Sequence, residues 1–328
     1  MSDRFFSSSP LTRPTQNNSL ERLVFDRIKL YFCTIEKQLP SIQYGQQNVL
    51  FMSTIHYAKT KKKTPSKKST KGSRFFSIFF RVILFTALGL FALSLLMPVV
   101  YKWVNPPITP LMVIRKVTIG APIEHKWKDL EEISPNMARC AIASEDHNFL
   151  GHKGFDYIAI NQAIQERESG RRKRGASTIS QQTAKNVFLW PKSSWFRKGC
   201  ESYFTFLIEH IWGKERIMEV YLNVIEMGTG IYGAEAAAEH YFNTTADKLT
   251  LQQCALITAC YPAPLKRDAG HPSSYLNKRA RQIRAQLGGT VRFDDETIRA
   301  AQERYEKRSK KSKQKVMDKA EKTITDKF

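Results

Sequence analysis

The spacing of apolar and polar side chains is clearest in "KERIMEVYLNVIEMG" (214 to 228), where Ile217, Val220, Tyr221 and Val224 fall at i, i+3, i+4 and i+7. That period predicts an amphipathic helix with those four side chains on one buried face. "TLQQCALITACYPAP" predicts another helix, because Thr250 and Gln253 have capping-box spacing ahead of an apolar run and Pro262 marks its stop. "GAEAAAEHYF" (233 to 242) is rich in strong helix formers and predicts a further one. Only "MVIRKVTI" (112 to 119) alternates well enough to be read as a strand. The chain beyond residue 104 is therefore expected to be mainly α.

The longest apolar stretch is "VILFTALGLFALSLLMPVV" (82 to 100), 19 residues without a charge, which Phe75 to Phe80 extend behind Arg81. This is close to the roughly 20 residues that cross a bilayer. Lys59 to Arg81 bring nine cations and no acidic residue, so the positive-inside rule keeps that end cytoplasmic. A cleaved signal peptide would have a shorter apolar run and an A-x-A site, and a buried core helix rarely carries such a basic flank. The pattern predicts four parts: a basic, disordered cytoplasmic segment (1 to 74), one uncleaved anchor (75 to 103), an outer domain (104 to 300) and a charged tail (301 to 328). Within the first, Met52 opens "MSTIHYAKTKKK" and reads as an alternative start. The end, "KRSKKSKQKVMDKAEKTITDKF" (307 to 328), reads as a solvated tail or a frayed helix.

Composition changes this picture in two ways. With 42% hydrophobic residues in a chain of 328, there is material for a sizeable core. With 52 Lys and Arg against 30 Asp and Glu, the formal charge of +22 points to a polyanion, a membrane surface or a phosphorylated substrate. The cysteines (Cys33, Cys140, Cys200, Cys254, Cys260) are odd in number and form no CxxC pair, which argues against a disulfide framework or a zinc ribbon.

Chemistry concentrates in 58 residues, 144 to 201. "SEDHNFLGHKGFD" (144 to 156) sets Glu145 and Asp146 before His147 and His152. An active-site carboxylate and an ordinary exposed turn both fit, while a zinc site is disfavoured by the i, i+5 spacing of the histidines. "RRKRGASTISQQTAKN" (171 to 186) opens with four cations and a glycine, then gives Thr178 and Gln181 capping-box spacing. A helix starting there offers free N–H groups and a positive dipole end to an anion, with Gln181/Lys185 and Gln182/Asn186 at i, i+4 just inside. A solvated basic loop before an ordinary helix is the plain alternative, and the P-loop spacing is absent. In "FRKGCESYFTFLIE" (196 to 209), Arg197, Lys198 and Glu201 share one helical turn, which taken singly is a surface ion-pair cluster. The three together supply, in order, a base, anion-binding cations and a second carboxylate.

These residues resemble the monofunctional biosynthetic peptidoglycan transglycosylases, glycosyltransferase family 51. "EDHNFLGHKGFD" is similar to that family's E-D-x-x-F-x-x-H-x-G-x-D block, "GASTISQQTAKN" to its G-x-S-T-I-x-Q-Q-x-x-K-N block and "RKGCE" to its R-K-x-x-E block. "KERIMEVYLNVIEMGTGIYG" and "GAEAAAEHYF" resemble the fourth and fifth, so the likeness covers roughly residues 135 to 265. A single span before the domain and no penicillin-binding module after it fit the monofunctional form.

The resemblance implies a lysozyme-like, bilobal, mainly α glycosyltransferase domain behind a single N-terminal transmembrane helix, in the bacterial inner membrane with the domain in the periplasm. It implies that lipid II is polymerised into β-1,4-linked glycan with inversion and release of undecaprenyl pyrophosphate. Glu145 is then the general base. Glu201 is a second catalytic carboxylate orienting sugar or pyrophosphate, and Asp146 supports Glu145 and the Arg/Lys cluster. Thr178, Gln182, Lys185, Asn186, Arg197 and Lys198 bind the substrate pyrophosphate. No cofactor or resident metal is implied, with a divalent cation on the pyrophosphate left open. The partners implied are lipid II, the growing glycan, membrane lipids and other cell-wall synthesis and division proteins, but no nucleic acid. Two rivals remain: a lysozyme-like hydrolytic or lytic enzyme acting on existing glycan, and a noncatalytic membrane-tethered binder of polyanions.

Overall fold

A computed structural model describes residues 71–170 and 175–325, and side chains over 76–170 and 175–318. Residues 1–70, with the alternative start at Met52, and the four cations 171–174 lie outside the described residues.

Helix α1 (Lys71–Val100) carries the apolar run, and Phe76–Val100 is its 25-residue stretch long and apolar enough to cross a membrane. At about 1.5 Å per residue it exceeds the hydrocarbon thickness. Phe85, Leu90 and Phe91 point outward into the surroundings rather than into a core, which fits a single-pass anchor. Its C-terminal end is stitched to the domain. Trp212 Nε1 donates to Pro98 O (2.6 Å), Ser94 Oγ lies 2.9 Å from the Tyr203 hydroxyl, and Arg216 donates to Tyr101 O from Nε and Nη2 (3.2 and 3.0 Å).

Beyond the anchor the chain is mainly helical: α2 (Pro110–Ile119), α3 (Pro135–Glu145), α4 (Tyr157–Glu168), α5 (Ile179–Phe188), α6 (Trp195–Ile211), α7 (Gly213–Val224), α8 (Ala234–Phe242), α9 (Leu251–Cys260), α10 (Ser274–Ala285) and α11 (Asp295–Thr325). Strands β1 (Glu124–His125), β2 (Glu226–Gly228) and β3 (Ile231–Tyr232) form a sheet in the order β1-β3-β2. β1 runs parallel to β3 and β2 antiparallel to it, with Glu226 opposite Tyr232.

The segment 112–119, read above as a strand, is instead most of α2. Thr109 caps it by accepting from Met112 N, Pro110 opens it with its fixed φ, and Gly120 closes it in the left-handed region (φ 65°). These end signals outweigh the β-branched alternation between them, because Leu111 and Met112 can be buried from a helix. The other helical expectations hold. The four periodic residues of α7 are fully buried, and the capping boxes at Thr178 and Thr250 form as spaced.

The core surrounds α7, with Met137, Cys140 and Ala141 of α3 and Cys254 and Ile257 of α9 packed into one cluster. Burial pushes the thiols of Cys140, Cys254 and Cys260 up to about 12, so these free cysteines behave as small apolar side chains. Helix α5 packs between α6 and α7 and is also touched by α2. It is therefore held from three sides, which fixes whatever its side chains present. The charged tail is helical over Asp295–Thr325 and is anchored by a buried Tyr305.

Candidate active site

Three helix ends build the site. Helix α3 runs through Glu145 and stops where Asp146 leaves helical geometry (φ −159°, ψ 77°). Asp146 is buried, sits 3.0 Å from His152 Nε2 through both oxygens, and accepts from Ile179 N at 3.0 Å. A carboxylate thus compensates the positive end of α5. Asp146 was expected to support the Arg/Lys cluster; its bonds run instead to His152 and the first turn of α5, and through them it fixes the orientation of α5 beside Glu145. His152 is committed to the same bond through Nε2.

The start of α5 is also self-satisfied. Thr178 Oγ1 accepts from Gln181 N, Gln181 Oε1 accepts from Thr178 N, and Thr178 Oγ1 donates to Gly154 O at 2.7 Å. With Ile179 N and Gln181 N taken by the protein itself, α5 presents an anion with the side chain of Lys185 rather than those first-turn donors. Gly154 permits this closure. It has φ +89°, and a Cβ there would meet Thr205 Cγ2 at 2.9 Å and Glu209 Cγ at 3.1 Å. Gly154→Ala is expected to cost at least about 1 kcal/mol and to lower activity with it. Thermal melting beside an activity assay checks this, and a parental midpoint would show that the loop yields freely.

Glu145 is half-buried. Its Oε2 accepts from Gln182 Nε2 at 3.0 Å and its Oε1 from Ser144 Oγ at 2.9 Å. Gln182 is oriented in turn by a long bond, 3.4 Å, from the Tyr221 hydroxyl, whose pKa burial pushes far up so that it remains a donor. Lys185 follows Gln182 by one turn, and Asn186 after it is buried. Burial holds the Lys185 ammonium below the usual lysine range. Arg197 and Lys198 push in the same direction, and Glu201 and Glu145 oppose it. Among the described residues Lys185 closes no ion pair within 4.0 Å.

The N-terminus of α6 completes the pocket. Ser194 caps it by accepting from Arg197 N, which sets the arginine on the first turn. Arg197 Nη1 donates to Glu201 Oε2 at 2.9 Å, and Lys198 Nζ pairs with Glu201 Oε1. Buried Glu201 therefore holds two cations in place, and the buried Arg197 Nε is without a partner among the described residues. The site sets the half-buried Glu145 carboxylate near Lys185, and Lys185 in turn near Arg197 and Lys198, three cations of which Glu201 neutralises one equivalent. It can accept a proton at one end and stabilise an anionic leaving group at the other. Its donors are cationic, and both Glu201 oxygens are engaged, so these residues make a poor seat for a divalent cation. Among the described residues no group of three His, Cys, Asp or Glu side chains is placed to hold a metal.

Sequence reasoning missed two supporting networks. Glu226 on β2 accepts from Arg115 of α2 at 3.1 and 3.2 Å. Burial pushes its carboxyl up, while Arg115 and, more weakly, Lys185 pull it down. In the second, Lys214 Nζ donates to Glu209 Oε1 (2.6 Å), which also accepts from Ser180 Oγ, and the ammonium lies 4.6 Å from the Phe149 ring centroid. That buried network ties α5, α6 and α7 together behind the pocket.

A family model described as Transglycosylase matches residues 112–287, which contain every group of this pocket. A Bacteroides thetaiotaomicron protein called a biosynthetic peptidoglycan transglycosylase is 49% identical over 252 residues, 75% of this chain and 98% of that relative. Proteins of the same description from Caulobacter vibrioides and Shewanella oneidensis are 52% identical over 211 residues and 47% over 203. They cover 63% and 61% of this chain and 91% and 87% of their own lengths.

Proposed function

The chain belongs to the transglycosylase family, and from that membership and the pocket between α3, α5 and α6 we propose that it polymerises lipid II into β-1,4-linked glycan, with inversion, using Glu145 as general base. It is a peptidoglycan glycosyltransferase. The finer reading is carried by one observation: Gln182 of α5 donates to Glu145 at 3.0 Å while Lys185, one turn along the same helix, faces the Arg197–Glu201–Lys198 cluster. Helix α5 thus bridges the base on α3, through Gln182, and the cations of α6, through Lys185, so that a sugar can react between them.

In this reading the 4-OH of the lipid II N-acetylglucosamine gives its proton to Glu145 as its oxygen attacks C1 of the growing chain. The C1–O bond to undecaprenyl pyrophosphate breaks, and the pyrophosphate leaves with that electron pair. An alcohol is a poor nucleophile at neutral pH, so a positioned base contributes about 10²- to 10⁴-fold. Lys185, Arg197 and Lys198 stabilise charge that grows on the pyrophosphate in the transition state. Glu201 keeps Arg197 and Lys198 aimed, Thr178 and Asp146 fix α5, and Asn186 contributes from its second turn. No step passes through a metal ion. A hydrolase on the same framework would have no pyrophosphate to hold, and the cationic end of the pocket would lack a purpose.

The test is incubation of the detergent-solubilised full-length protein with labelled lipid II. Polymer with released undecaprenyl pyrophosphate is expected. Shortening of preformed glycan would favour the hydrolase, and neither product would leave only a binder. The partition follows the sequence pattern, with residues 104–300 as the periplasmic catalytic domain and α1 in the inner membrane. A reporter fused after Phe328 should therefore be active only outside the cytoplasmic membrane, and cytoplasmic activity would reverse the orientation.

A further inference from the structure

We propose that α11, which lies beyond the residues matched to the family, clamps the loop connecting Glu145 to α4, with Tyr305 and Arg308 as positioning residues for the reaction. The inference rests on reading Glu145 and the α5 pocket as the active site.

Among the described side chains of α11, Tyr305 is the buried one in a largely charged stretch. Its hydroxyl accepts from Tyr157 N at 2.8 Å and donates to Asp156 Oδ1 at 3.2 Å. Asp156 in turn caps α4 by accepting from Ile158 N and Ala159 N, each at 3.0 Å, and its other oxygen accepts from Asn148 Nδ2 at 2.8 Å. Arg308, one turn along α11, donates to Asn148 Oδ1 at 3.0 Å. One face of α11 thus grips the loop near both ends. Between the grips the helix lies on the loop backbone itself, since a Cβ at Gly151 would come within 2.7 Å of Tyr305 Cβ and 3.0 Å of Ala301 O.

The next link reaches the chemistry. The Tyr305 ring stands edge-to-face over His152 with centroids 6.0 Å apart, and His152 holds Asp146, the carboxylate that follows Glu145 and caps α5. Tyr305 touches neither Glu145 nor the cationic cluster. Its influence passes through His152 and Asp146 to the relative placement of base and helix. Displacements of about 1 Å in such a pair can cost about 10²-fold in rate without removing any reacting group.

The experiment measures kcat and KM for lipid II polymerisation beside thermal midpoints, on the full-length protein in detergent. Tyr305→Ala is expected to lower kcat about 10-fold or more with KM within about 2-fold of parent. Tyr305→Phe keeps the ring and loses both hydrogen bonds, and should lose about 3-fold in kcat at a near-parental midpoint. Gly151→Ala, which pushes α11 away, should lower kcat as Tyr305→Ala does, and the double variant should lose little more, because both act through one contact. Parental kcat in Tyr305→Ala overturns the clamp, as do losses that simply multiply in the double variant. Where Tyr305→Ala melts below the assay temperature, Tyr305→Phe decides, and parental kcat there overturns the proposal. A polymerising parent with neutral Tyr305 variants removes the clamp alone. A parent that makes no polymer removes the proposed function first. An active Glu145→Gln beside a slow Tyr305→Ala removes the role of Glu145 and leaves a clamp acting on α5.

Discussion

Glu145→Gln is expected to lower polymer formation by at least about 10²-fold while leaving the protein folded and able to bind a lipid-linked substrate analogue. The surroundings make this substitution informative. The replacement side chain can still accept from Gln182 Nε2 or Ser144 Oγ through its carbonyl oxygen, so most of the local geometry survives. The amide cannot take the proton from the sugar hydroxyl. If Glu145 were only a half-buried residue at a helix end, its replacement would move neither activity nor stability by more than about 0.5 kcal/mol. Polymerisation at the parental rate and parental thermal midpoint would sink the catalytic assignment. His152→Ala is not an equivalent probe, because it strips Asp146 of a partner and disturbs α5 as well as any direct role.

Removing the cations should act through the leaving group. Lys185→Ala and Arg197→Ala are each expected to reduce turnover about 10²- to 10³-fold, as removal of a preorganised transition-state donor does. Stability separates the two. Arg197→Ala takes one partner from buried Glu201 and should lower the thermal midpoint. Lys185 has a folded pKa held below its unfolded value, chiefly by burial. Its protonation therefore opposes folding below the folded pKa, and that penalty fades as pH rises through it. Lys185→Ala should accordingly lose activity without a lower midpoint at neutral pH. If Lys185 acts as proposed, the alkaline fall of activity is expected below the range of a free lysine. Lys185→Arg, which keeps its charge, should move that limb upward. Near-parental turnover in either alanine variant would remove that residue from the mechanism.

What the sequence made legible was local. The α7 face shows because four apolar residues repeat at helical spacing, and the starts of α5 and α9 show because a capping box spans only four residues. The α2 misreading has a local cause too: β-branched residues alternate inside a segment whose ends, Thr109–Pro110 and Gly120, specify a helix. The candidate stretches from Glu145 to Glu201 stood out because Glu145, Thr178 and Arg197 lie at or next to helix ends that the local sequence marks. The partners of those groups were not legible. Asp146 meets Ile179 from 33 positions away, Glu226 meets Arg115 from 111, and Tyr305 meets Asp156 from 149. Those pairings depend on how helices pack, and no periodicity within one segment encodes them. β2 and β3, at three and two residues, are too short to show alternation at all.

The junction between α1 and the domain sets how the protein meets its substrate. Trp212 bonds the carbonyl of Pro98, and Arg216 donates to the carbonyls of Tyr101 and Val104. The chain leaving the anchor is therefore a mast and not a leash. A catalytic body on a leash would sample many altitudes above the bilayer and meet a headgroup only in passing. With α1 in a bilayer, a mast holds the pocket at one altitude and one tilt. In the proposed reaction the substrate's pyrophosphate is fastened to a lipid and confined to the headgroup plane, so the search for it would become lateral and two-dimensional, and each glycan strand would be extruded away from a fixed point of synthesis.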